Sequence, residues 1–194
     1  MKYYLSIALA SLMMIGTVNA QSVNFGIKGG LNVYNIKDDN ESEYDSKTGI
    51  HLGILGHIHL SKQWGMQPEL VYSAQGAQFT STGVESKLKL GYINVPILFQ
   101  YMFDNGFRIE AGPQVGFLVS AKTEANDVEV DVKDDLKGAD FSIGFGLGYI
   151  HVPSGFGLDA RYNLGVSNIS EDDDNNVSNR GFQIGLFYQF KHRD

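Results

Sequence analysis

Three histidines, His51, His57 and His59, fall within nine residues of one another. Two apart on an extended strand, His57 and His59 share a face and could both reach one metal ion. They serve equally well as hydrogen-bonding filler in a polar interior. We adopt that reading, so no metal site and no cofactor is expected. His151 and Ser154, beside a Pro153-Ser154-Gly155 turn, offer a base and a nucleophile, the pairing of a hydrolase. No evident carboxylate orients the histidine, so no catalytic residue is assigned. Asp172, Asp173 and Asp174 could gather Ca²⁺, but 171–176 lacks the EF-hand spacing and its glycine. The plainer reading is solvated surface.

A different set stands out by position. Lys28, Glu69, Arg108, Glu110, Asp159 and Arg161 each interrupt a stretch that is otherwise apolar, small or uncharged. Three cations match three carboxylates. Buried charges must pair or cost several kcal/mol each, so a balanced set is what an interior would require. These six are expected to form a charge network in a shared lumen, with Lys28 paired to Glu69, Glu110 or Asp159.

The elements that would position them are strands. In 23–35, Val23, Phe25, Ile27, Leu31 and Val33 alternate with Asn24, Gly26, Lys28, Gly30 and Asn32, a period of two. The alternation recurs in 49–60, 64–77, 87–103 and 107–120, then in 141–149, 156–167 and 181–190. That makes eight strands. Three short turns, at 61–63, Asp104-Asn105-Gly106 and 153–155, interleave with longer polar loops at 37–48, 78–86, 121–138 and 168–180. Short turns at one end, long loops at the other and an even strand number describe an outer-membrane barrel. The first strand must then close the ring against the last. Pro68, Pro96 and Pro113 fall inside strands, where each should mark a bulge or a local break.

Residues 1–20 are read as a cleaved signal peptide: Lys2, an apolar run from Leu5 to Val18, and Val18-Asn19-Ala20 before Gln21. Residues 21–194 are then one domain. The absence of Cys excludes disulfides and thiol chemistry. A net charge of −7 argues against a nucleic-acid partner.

Alternation alone does not say which face looks outward. A soluble barrel would hide the apolar face and a membrane barrel the polar one. The polar faces are rich in Gly and short side chains, which suits the cramped interior of eight strands. Their charges balance. Phe25, Trp64, Phe103, Phe107, Tyr149, Phe156 and Phe190 gather beside the short turns, as an interfacial girdle would. The expectation is an all-β, eight-stranded antiparallel up-and-down transmembrane barrel in the cell outer membrane, monomeric, with lipid as its main partner.

The residues also carry a family resemblance. Gly26-Ile27-Lys28-Gly29-Gly30-Leu31-Asn32, Gln67-Pro68-Glu69-Leu70-Val71-Tyr72-Ser73 and Tyr92-Ile93-Asn94-Val95-Pro96-Ile97-Leu98 are its first pieces. Ala111-Gly112-Pro113-Gln114-Val115-Gly116-Phe117-Leu118 and Asp159-Ala160-Arg161-Tyr162-Asn163 extend it. The chain resembles the PorT-like outer-membrane β-barrel family, small porin-family proteins of Bacteroidetes-type bacteria. The resemblance spans the mature chain and includes the three prolines. It implies the fold and the outer membrane; no catalytic motif comes with it, and a role in secretion is not transferred. The expected function is non-enzymatic, in envelope structure or in surface interaction through acidic outer loops. The alternatives are a narrow channel or solute binder using the lumen, and a lipid-modifying enzyme.

Overall fold

A computed structural model describes residues 23–38, 44–81, 84–126, 128–171 and 177–190. The signal-peptide reading and the Asp172–Asp174 site lie outside the described residues. The strands are β1 (Val23–Asp38), β2 (Asp45–His59), β3 (Trp64–Ser81), β4 (Val84–Met102) and β5 (Phe107–Ala125). They continue with β6 (Val128–Asp131), β7 (Ala139–His151), β8 (Phe156–Gly165) and β9 (Val177–Gln189). All pairings are antiparallel, and β4 pairs β5 to complete a ring that β1 and β9 close. Eight strands make the ring. The ninth, β6, is a four-residue hairpin arm on the outer end of β5.

The expected loops are shorter than their polarity suggested. β1 runs on to Asp38 and β2 resumes at Asp45; β3 reaches Ser81 and β4 restarts at Val84. The 121–138 loop holds the end of β5, β6 and a 3₁₀ turn at Lys133–Asp135. Polarity reports contact with water, and a strand that projects above a membrane is as wet as a loop. At the opposite end the turns are tight. Asn105-Gly106 supplies the positive φ of a hairpin, with Gly106 at +89°.

Burial follows the alternation. Phe25, Ile27, Leu31 and Val33 of β1 are exposed, whereas Lys28, Asn32 and Tyr34 are buried. The same division holds in β9, where Phe182, Ile184 and Leu186 face out and Gln183 and Gln189 face in. All seven girdle aromatics are exposed. Trp64 meets Tyr101 and Tyr101 meets Phe103 edge to face, with Phe103 against Phe107, so the ring is continuous across β3, β4 and β5.

None of the three prolines produces a bulge. Register shifts occur elsewhere, between Ser46 and His51 on β2 and at Gly91/Tyr92 on β4. At each proline, pairing with the preceding strand lapses for about two residues and resumes in the same register. Pro68 pairs Ile97 and Pro96 pairs Gln114, so the three lie on one diagonal across β3, β4 and β5. A missing N–H is tolerated by skipping a rung of the ladder.

Candidate functional site

The lumen is filled in layers. At mid-height, Arg161 of β8 reaches across the ring to Glu69 of β3, the strand four places away in either direction. The contact is bidentate, with Nη1 donating to Oε2 at 3.1 Å and Nη2 to Oε1 at 2.9 Å. Arg161 Nε and Nη2 also donate to Glu110 Oε1 of β5 at 3.1 and 2.9 Å. Lys28 of β1 lies 3.0 Å from Asp159 and 3.3 Å from Glu69. Gln67 donates to Glu69 and Gln100 to Glu110, each at 2.7 Å. The charged members come from β1, β3, β5 and β8, every second strand of the ring. That is how a narrow barrel fills one level without crowding.

The structure therefore brings together Lys28, Glu69, Glu110, Asp159 and Arg161 and sets Arg108 apart. Arg108 is buried one level nearer the short turns. Its Cζ sits 4.3 Å from the ring centre of Phe187, and its Nη1 makes only a long 3.5 Å contact with Gln67. Alternation fixes the face of all six charges but not their height in the barrel. Phe187, an inward aromatic that sequence reading left unassigned, stands on the polar register of β9, and that register was the available signal.

Towards the long loops the lining is mostly uncharged, with the buried Asp140 of β7 accepting from the Ser167 hydroxyl. Asn32 donates to Ser73 at 2.9 Å, and His51 Nδ1 lies 2.7 Å from Asn32 Oδ1. Asn163 donates to the buried Tyr34 hydroxyl at 2.8 Å. Above this, Ile36, Ala77, Leu90, Tyr92, Leu118 and Ala121 from β1, β3, β4 and β5 pack with Ile169, which follows β8 on the far side. Lys137 N–H donates to the Ile169 carbonyl and Ile169 N–H to that of Val177, pinning the segment over the mouth. The lumen thus carries an apolar cap at the long-loop end. Long-range loop packing of this kind leaves no local pattern in the sequence.

His57 and His59 do not converge their nitrogens. Their rings meet edge to face at 4.5 Å, and among the described residues no three His, Asp or Glu side chains cluster as metal ligands. His151 Nδ1 lies 2.9 Å from Ser154 Oγ, but the Ser154 hydroxyl and amide both also donate to the His151 carbonyl. That is a hydrogen-bonded turn, and no carboxylate contacts the ring among the described residues.

A closed antiparallel ring of eight strands, apolar outside and charged inside, defines an integral outer-membrane β-barrel. The chain belongs to the family described as outer membrane protein beta-barrel domain, whose model matches residues 19–171. It is similar in structure to the Neisserial surface protein A, with a TM-score of 0.61 at 12% identity over 87% of this chain and 99% of that one. It is also similar to Ail, the attachment invasion locus protein of Yersinia pestis. There the TM-score is 0.52 at 18% identity, over 86% of this chain and 98% of that one. No curated protein sequence matches the chain. The protein is located in the outer membrane, with its apolar girdle against lipid.

Proposed function

We propose that this barrel is a non-enzymatic, monomeric member of the PorT-like group, serving envelope structure or surface interaction through its outer extension. The observation that carries the reading is the unequal height of the ring. β3, β4 and β5 run 18, 19 and 19 residues, whereas a tilted strand needs about nine to eleven to cross the bilayer. The surplus projects on the long-loop side as a paired extension to which β6 adds an arm. There Lys89 pairs Glu124 and Glu129, and Lys122 pairs Glu129 at 2.8 Å. An ordered platform above the membrane is what a docking surface requires, and the acidic loop composition favours a cationic partner.

A conducting pore finds less support. Arg161 spans the lumen at mid-height and the Ile169 cluster covers one end. An enzyme finds none in the His151–Ser154 turn. The test is complementation of a deletion strain with a barrel whose residues 126–135 are replaced by a short Gly-Ser link. The trimmed barrel should reach normal outer-membrane levels while envelope integrity or cell adhesion is lost. Full complementation by the trimmed barrel, together with failure of a lumen variant such as Arg161→Met that is present at normal levels, would contradict it.

A further inference from the structure

Below the ion network the lumen widens into a cavity of about 710 Å³ between the short turns. His57 of β2, Lys62 of the first turn, Arg108 of β5 and Gln189 of β9 line it from three sides of the ring. The single carboxylate among its described lining residues, Asp104, is solvent-exposed and 4.0 Å from Lys62. Arg108 is 2% exposed, and among the described residues no carboxylate lies within ion-pair distance of its guanidinium. Its Nε and Nη2 have no hydrogen-bond partner, nor have Gln189 Nε2 and His57 Nδ1.

A buried donor without an acceptor costs about 1–3 kcal/mol, and a charged one more. Unmet donors on Arg108 of β5 and Gln189 of β9, two residues that line one cavity, are therefore a standing cost unless an acceptor-rich group reaches them. Water brings donors as well as acceptors. A carboxylate or phosphate brings acceptors alone, and its charge suits Arg108 and Lys62. A metal cation is excluded by the same two residues. We propose that this cavity binds an oxyanion, a carboxylate or phosphate group, reached from the periplasmic side. Arg108 is its main partner, with Gln189, His57 and Lys62 completing the shell. The proposal does not depend on the outer-loop reading, since it concerns the opposite end of the barrel.

The test uses the whole barrel refolded in detergent micelles and NMR of the Arg108 Nε–H and the His57 and His59 ring protons. Inorganic phosphate and then acetate are titrated at pH 7 against chloride at constant ionic strength. Saturable shifts led by Arg108 are expected; a response to phosphate alone marks a tetrahedral ligand, and one to acetate a carboxylate. Arg108→Gln should weaken binding about tenfold or more, the scale of one charge-assisted hydrogen bond, and Lys62→Gln less. Shifts that stay linear in both ions, or saturation undiminished in Arg108→Gln, would overturn the site. If Arg108→Gln does not refold, Gln189→Leu decides, because unchanged affinity in that variant also overturns it.

Discussion

Arg161 shows how the interior depends on single side chains. It donates to two carboxylates on two strands, and Lys28 and Gln67 meet one of them as well. Removing it leaves Glu69 and Glu110 short of positive charge where water does not reach. Breaking a buried pair from one side typically costs about 3–5 kcal/mol. Arg161→Met should lower the unfolding free energy by that amount, read as the urea midpoint of the barrel in lipid vesicles. Lys28→Met and Asp159→Leu together should cost clearly less than the sum of the two single changes, because the double variant leaves neither charge stranded. The sequence shows why such residues are inside, since each sits on the small, polar register of its strand. It does not show that Lys28 meets Glu69 and Asp159 while Glu110 goes to Arg161. Those choices depend on stagger between strands that are not neighbours in the chain, and one-strand periodicity holds no information about stagger. The position of Arg108 below the others has the same origin.

At the scale of the strand, the prolines are the informative case. A proline inside a sheet should mark a bulge or a local break, and Pro68, Pro96 and Pro113 take the second form, interrupting pairing with the preceding strand. Gly112, beside Pro113, lets β4 come close there. A Cβ at Gly112 would lie 2.0 Å from the Ile97 carbonyl oxygen, whereas one at Gly138 would meet open space. Gly112→Ala should therefore cost about 1–3 kcal/mol through forced separation of the strands. Gly138→Ala should leave the same urea midpoint unchanged. The outer arm makes a pH prediction. Hydrogen bonds from Lys122 and then Lys89 hold the Glu129 carboxyl down at about 2, from an ordinary value of 4.5. A depressed carboxylate stabilises the folded arrangement above its unfolded value, and that contribution is lost as pH falls through the folded one. Protection of the β6 amides, taken as exchange relative to the intrinsic rate at each pH, should thus be constant above about pH 5 and fall progressively as pH drops from 4.5 towards 2. In high salt the effect should shrink, because these charges face solvent. The arm itself was not legible in the sequence, where Val128-Glu129-Val130-Asp131 is a short alternation inside an acidic stretch.

At the scale of the molecule, strand number, the closing pair of β1 with β9 and the outward apolar face all follow from period-two patterning and turn lengths. The apolar cap does not, because Ile36 and Ile169 come from opposite ends of the chain and meet only once the ring has closed. Among the described residues the cap, the polar layer around Asn32 and the ion network fill the lumen down to the cavity between the short turns. The barrel is therefore a membrane-spanning wall with a filled interior, and both roles proposed for it lie at its ends. Single-channel recording of the refolded protein in planar bilayers tests this most directly. A bilayer with verified insertion should show no stable conductance steps above baseline. Stable, sizeable steps from the wild-type barrel would contradict the filled lumen and with it the account.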